Sequence, residues 1–175
     1  MNRYIAFLRA INVGGNTIVK MDVLRGQFEA LGYTNVQTYI QTGNVIFESD
    51  EKDTSVLEGQ IERQLEKGLG KSILLFVRTM RELEPIAKKP PFDPKENETL
   101  HIVFLKSKPT KKLEQALASF NSKADKFLIK GREVYNLRHD RDASVFSNNF
   151  IEKTLGIAGT TRNLTTVQKI VEKYY

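Results

Sequence analysis

The chain reads as one short pattern written twice, and that constrains its fold more than any single motif. Ile5, Phe7, Leu8 and Arg9 find counterparts in Ile102, Phe104, Leu105 and Lys106. Leu24, Phe28 and Leu31 match Leu113, Leu117 and Phe120. Gly43 matches Gly131, and Gly68 matches Gly156. Self-similarity at a fixed spacing marks a repeated structural unit. The first strands are offset by 97 residues (Ile5 to Ile102) and the first helices by 89 (Leu24 to Leu113), so the first copy carries 8 extra residues between them. That extra length is the stretch R-A-I-N-V-G-G-N, residues 9–16.

Hydrophobic spacing gives the elements of each copy. In the first, Tyr4 to Ile11 reads as a strand. Met21 to Leu31 reads as a helix, with Leu24, Phe28 and Leu31 on one face and Gly32 as its stop. Val36–Ile40 and Val45–Phe47 are β-rich runs around the turn Gln41-Thr42-Gly43-Asn44, a hairpin signal. Asp53 or Thr54 starts a second helix with Leu57, Ile61 and Leu65 inward, closed by Gly68 and Gly70. Ser72–Val77 is a fourth strand. The order β-α-β-β-α-β is the ferredoxin-like arrangement. A short helix over Arg78–Ala87 follows, and Lys88-Lys89-Pro90-Pro91-Phe92-Asp93-Pro94 then interrupts regular structure. In the second copy His101–Leu105 reads as a strand, Thr110–Phe120 as a helix, Phe127–Ile129 and Glu133–Leu137 as a hairpin, and Val145–Leu155 as a helix. A last helix is expected from about Asn163 to Glu172, capped by Thr160 or Thr161. The expected fold is α+β, with two tandem ferredoxin-like (β-α-β-β-α-β type) subdomains, the second ending in an extra C-terminal helix. The expected division is residues 1–90, a linker at 91–98, and residues 99–175.

Composition removes several function classes. The chain has no cysteine, which excludes disulfides, zinc thiolate sites and cysteine nucleophiles, and fits a reducing compartment. The two histidines, His101 and His139, stand without clustered partners, so no histidine metal site is expected. Met1-Asn2-Arg3-Tyr4 leads into an apolar stretch too short for a signal peptide, and no run reaches the roughly 18 apolar residues of a membrane span. A cytoplasmic protein with no membrane partner is expected. The net charge is +6 and unevenly spread: residues 1–90 hold 12 Lys+Arg against 11 Asp+Glu, and residues 91–175 hold 15 against 10. Lys106, Lys108, Lys111 and Lys112 form the densest basic patch, which suits polyanions or an acidic partner as well as a solvated loop.

Three polar motifs stand out as candidate binding elements. In the long loop, Gly14 and Gly15 permit unusual backbone angles, Asn12 and Asn16 supply polar groups, and Arg9 and Lys20 add positive charge. The loop matches neither G-x-G-x-x-G nor a phosphate loop. Gln41, Thr42 and Asn44 lie in the hairpin turn. Thr161, Arg162 and Asn163 follow Thr160 where a helix N-terminus and an arginine would suit an anion. Elsewhere, Lys130-Gly131-Arg132-Glu133-Val134-Tyr135 resembles the opening of an RNA-recognition signature but lacks its two stacking aromatics. His139 lies among Asp140, Asp142, Ser144 and Ser147 with no nucleophile elbow, so a catalytic triad is not expected.

The segments Arg3–Gly15, Tyr39–Val45 and Thr160–Asn163, taken together, resemble the bacterial domain-of-unknown-function family numbered sixteen ninety-seven, over essentially the whole chain. The resemblance implies a cytoplasmic α+β protein of two ferredoxin-like subdomains and supplies no reaction. Ala10 stands where the family often has glycine, Leu164 where tryptophan often follows T-T-R-N, and Val145 where lysine is frequent.

The leading functional expectation is a binding module for an anionic ligand, either a nucleotide-like metabolite or nucleic acid, lined by Arg9, Asn12, Gly14, Gly15, Asn16, Gln41, Thr42, Asn44, Thr161, Arg162 and Asn163. The alternatives are an enzyme acting on a phosphorylated or nucleotide substrate, for which no general base is identified, and an interaction module whose lysine patch docks an acidic partner. No cofactor and no catalytic residue are assigned.

Overall fold

The computed structural model describes residues 1–14 and 17–175. In chain order the elements are β1 (Asn2–Leu8), α1 (Met21–Glu29), β2 (Thr34–Thr38), β3 (Asn44–Ser49), α2 (Thr54–Leu69), β4 (Leu75–Thr79), α3 (Met80–Lys88), β5 (Thr99–Leu105), α4 (Lys111–Ala118), β6 (Asp125–Lys130), β7 (Glu133–Arg138), α5 (Asn148–Leu155), β8 (Gly159–Asn163) and α6 (Leu164–Tyr174). Among the described residues this makes two four-stranded antiparallel sheets and six helices. The sheets run β2-β3-β1-β4 and β6-β7-β5-β8, an arrangement consistent with two tandem ferredoxin-like units. The chain divides into two compact units, Met1–Glu84 with Ile170–Tyr175, and Pro85–Lys169.

In the first unit the period-two alternation of β1 places Tyr4, Ala6 and Leu8 in one core with Leu24 and Phe28 of α1 and Leu57, Ile61 and Leu65 of α2. The opposite face, carrying Ile5, Phe7, Ile46 and Phe76, is equally buried. Asp53 caps α2 by accepting the Ser55 amide at 2.8 Å. From α2, Glu58 accepts the Val77 amide at 2.9 Å and Glu62 the Leu75 amide at 3.2 Å, so two carboxylates cover the outer backbone of the edge strand β4. In the second unit Val103, Leu105, Phe127 and Val134 pack with Leu117, Ile151 and Leu155. Ile102, Phe104 and Tyr135 are buried on the other face of that sheet. Thr110 caps α4 and Ser147 caps α5, through Leu113 and Phe150.

Several expectations need correction. Arg78 lies in β4, and α3 begins only at Met80; α5 begins at Asn148, not Val145. β1 stops at Leu8 and does not reach Ile11, because Ala10 adopts φ 55 and leaves extended backbone. α1 ends at Glu29, short of Leu31. Gly70, and not Gly68, is the left-handed cap of α2 and the counterpart of Gly156; Gly68 lies inside the helix. Most consequentially, Thr160 and Thr161 cap no helix. They lie in β8, where Thr160 pairs with Phe104, Thr161 with Val103, Arg162 with Ile102 and Asn163 with His101. β-branched threonines suit extended backbone, and the open side of β5 supplies the partner strand. Only after Asn163 does α6 begin. Among the described residues no helix is long and apolar enough to cross a membrane.

Candidate functional site

The loop after β1 and the β2–β3 turn are built together. The Leu8 amide donates to the Gly43 carbonyl and the Arg9 amide to the Leu74 carbonyl, each at 2.9 Å, so the chain leaves the sheet clamped on both sides. Ile11 then turns inward and is fully buried. Asn12 ties the rest. Its backbone amide donates to Thr17 at 2.7 Å. Its side-chain nitrogen donates to the carbonyls of Val19 at 3.0 Å and Gln41 at 2.6 Å, while its Oδ1 accepts the Val19 amide at 2.8 Å.

The turn has its own fastening. Asn44 is fully buried, and its Nδ2 donates to the Tyr39 carbonyl at 2.9 Å and to the Thr42 hydroxyl at 3.2 Å. Gly43 sits at φ 88 against the loop, where a Cβ would lie 2.6 Å from Ile11 Cδ1 and 2.9 Å from Leu8 Cβ. No other residue type fits there without displacing buried side chains. The end of the C-terminal helix completes the surroundings: Tyr174 meets Tyr39 edge-on at 6.2 Å, with Lys173 Nζ 6.0 Å from the Tyr39 ring.

Left-handed backbone concentrates here. Ala10, Asn12, Gly14, Ile40 and Gly43 all have positive φ, and three of them are not glycine. Ile40, a β-branched residue at φ 52, is the most strained. Among the described residues of the second unit only Gly131 and Gly156 have positive φ. The equivalent connection there, residues 106–110, is also much shorter than residues 9–20.

Asn12 and Asn44 therefore spend their polar groups on the loop and the turn themselves. Gln41 and Thr42 are the exposed side chains of the turn, and Arg9, where the loop leaves β1, is half-buried. Gly15 and Asn16 lie outside the described residues. Val13, Ile18 and Val23 are exposed apolar side chains, at 59%, 69% and 44%.

In the second unit the expected residues serve local structure. Arg162 is 8% exposed. Its NH1 donates to the Thr160 hydroxyl at 3.0 Å and the Thr161 carbonyl at 2.9 Å. Burial lowers its pKa to about 10, which still leaves it charged at neutral pH. The Thr161 hydroxyl donates to Asn148 at 2.8 Å, and Asn163 is exposed. A buried arginine that motif reading missed is Arg78, fully enclosed in β4 opposite Ile5, as Arg162 is opposite Ile102. Aligning Phe76-Val77-Arg78-Thr79 with Thr160-Thr161-Arg162-Asn163 would have found it.

A second unforeseen cluster centres on Asp125, which is fully buried. It accepts from Asn136 at 2.9 Å, the Ser144 hydroxyl at 2.7 Å and the Val145 amide at 2.9 Å. Asn136 in turn faces His101 Nδ1 at 3.3 Å, and the His101 ring stacks on Phe146 at 4.7 Å. His139 pairs instead with Glu98, and Ser147 caps α5, so the residues around His139 assemble no triad. Among the described residues no group of three or more metal-binding side chains converges. In the basic patch Lys106 is half-buried, while Lys108, Lys111 and Lys112 are exposed.

Two α+β units with two antiparallel sheets and a strained loop-and-turn at one sheet end define the class of protein. The family model described as "Protein of unknown function (DUF1697)" matches residues 1–135, and the chain belongs to that family. Among solved structures the chain is similar to the conserved bacterial protein SP0830 from Streptococcus pneumoniae, at 20% identity and TM-score 0.77, over 98% of this chain and 97% of that one. That likeness concerns the fold. An unknown protein from Galdieria sulphuraria aligns at 9% identity and TM-score 0.29, over 93% and 98% of the two chains. None of the curated proteins compared with the sequence matches it.

Proposed function

We propose that this protein is a cytoplasmic binding module for a small anionic ligand of nucleotide-like or phosphorylated type, held where the loop after β1 meets the β2–β3 turn. The two units are versions of one ferredoxin-like repeat, and the first has been elaborated for binding. The observation that carries the reading is the concentration of left-handed residues there, whereas among the described residues of the equivalent loops of the second unit Gly131 alone has positive φ. Strained backbone persists where the surroundings over-determine it, which is characteristic of binding sites. Gln41 and Thr42 offer polar contacts, Arg9 and Lys20 offer charge, and Asn12 and Asn44 hold the frame. Thr161, Arg162 and Asn163 belong to the second unit and lie outside this core of the proposal.

The test is calorimetric titration with inorganic phosphate, ADP and ribose 5-phosphate. Gln41→Ala removes an exposed side chain and leaves the frame intact. Binding weakened severalfold in that variant, with an unchanged melting temperature, supports the reading. Unchanged affinity contradicts it.

A second reading is favoured by one electrostatic observation. Lys111 and Lys112 occupy the first turn of α4, where positive charge opposes the helix dipole. Replacing both with glutamate is expected to stabilise the fold by about 0.3–1 kcal/mol each at low salt. If Lys106, Lys108, Lys111 and Lys112 dock an acidic partner or nucleic acid, retention on an oligonucleotide column falls steeply with salt and vanishes in the quadruple alanine variant.

A further inference from the structure

We infer that the anion recognised by the first unit carries an apolar body, and that this body sits in a cleft beside the strained loop. The inference rests on the anion-binding reading above and names the kind of ligand. The cleft has a volume of about 210 Å³ and is lined by Ile18, Val19, Lys20, Val23, Leu69 and Lys71. It is open to solvent and small, so it accepts a short chain or a single ring. Larger ligands need more room.

Its lining is chemically divided. Ile18 and Val23 expose 69% and 44% of their surface, and half-buried Leu69 lines the same cleft. Lys20 and Lys71 are both exposed at the same cleft. Two ammonium groups beside an apolar floor complement a molecule with one anionic end and one apolar end. The matching connection of the second unit, Lys106-Ser107-Lys108-Pro109-Thr110, carries no exposed aliphatic side chain.

The cleft is mechanically joined to the turn through one side chain. Asn12 accepts from and donates to Val19, a wall of the cleft, and the same amide nitrogen donates to Gln41. A ligand seated on Val19 therefore bears on the hydrogen-bonded frame that fixes the Gln41 turn.

The experiment is a nuclear magnetic resonance titration of the full chain with hexyl phosphate, inorganic phosphate and hexanol, repeated on Lys20→Glu with Lys71→Glu and, separately, on Ile18→Asp. These are surface positions, and far-ultraviolet dichroism checks that each variant folds. The expected result is saturable shifts at Ile18, Lys20, Val23 and Lys71, with hexyl phosphate binding roughly tenfold or more tighter than phosphate. That preference disappears in Ile18→Asp, and the double lysine variant loses binding of both anions at the cleft. Equal affinity for hexyl phosphate and phosphate overturns the apolar-body inference and leaves the anion-binding reading standing. Shifts confined to other residues, or full affinity in the double variant, overturn the cleft assignment. No binding of either anion overturns both.

Discussion

The side-chain nitrogen of Asn12 lies 2.6 Å from the carbonyl oxygen of Gln41 and thereby bolts the loop after β1 to the β2–β3 turn. The same side chain closes a two-way bridge to Val19, and the residue adopts φ 54. Asparagine is one of the few residue types that reaches this backbone region at low cost and brings an amide to use there. Asn12→Gly keeps the backbone and loses the bonds, at about 1–3 kcal/mol. Asn12→Ala loses the bonds and adds the left-handed penalty, costing about 1 kcal/mol more. Urea denaturation of both variants checks the order. Equal midpoints for Asn12→Gly and the parent chain would show that the bridge contributes nothing.

Gly43 and Gly131 occupy corresponding hairpins yet differ in what surrounds them. A Cβ on Gly43 meets Ile11 and Leu8 below 3 Å, whereas one on Gly131 meets only Glu133 Oε2 at 3.7 Å. Gly43→Ala therefore combines backbone strain with overpacking and costs about 2–4 kcal/mol. Gly131→Ala carries the backbone term alone, about 1 kcal/mol. Thermal melts of the two variants side by side read this difference directly.

Ile40 is the position where strain can be relieved at least expense. It is 48% exposed, so its side chain contributes little to the core. Ile40→Gly removes a β-branched residue from φ 52 and is expected to stabilise the fold by about 1 kcal/mol. Ala10→Gly, at φ 55, acts in the same direction. If the strain serves binding, Ile40→Gly raises the urea midpoint and weakens phosphate affinity in the same protein. A variant that gains neither stability nor loses affinity would remove strain from the account.

How much of this was legible depended on whether a signal was local. The helices came through because Leu24 and Phe28, or Leu57, Ile61 and Leu65, carry their period in the sequence. β8 did not, because Thr160-Thr161-Arg162-Asn163 has no apolar alternation and becomes a strand only through its partner β5. Arg78 reads in sequence as the start of a helix for the same reason: its burial is a property of the sheet. Among site residues, the sequence offers Asn12 and Asn44 as candidate ligand-binding groups. Their duty is to hold backbone carbonyls some residues away, which spacing cannot reveal.

His101 is expected to make the second unit acid-sensitive. Burial lowers its pKa below the usual histidine value, with the Asn136 hydrogen bond partly opposing. The folded protein thus binds the proton more weakly than the unfolded chain. Stability is fully present above the unfolded value near 6.5 and is lost as pH falls through it, at up to about 1.4 kcal/mol per pH unit. His101→Gln keeps a partner for Asn136 and has no charge to gain. Its urea midpoint between pH 7 and 5 is expected to fall less steeply than that of the parent chain, and parallel slopes would assign the acid sensitivity elsewhere.

The proposed anion site at the loop and turn of the first unit is tested by titrating the parent chain and Gln41→Ala with ADP and inorganic phosphate at fixed salt. Saturable binding by the parent protein and a severalfold weaker constant in the variant at equal thermal stability are expected. Equal binding by both proteins, or none by either, would contradict it.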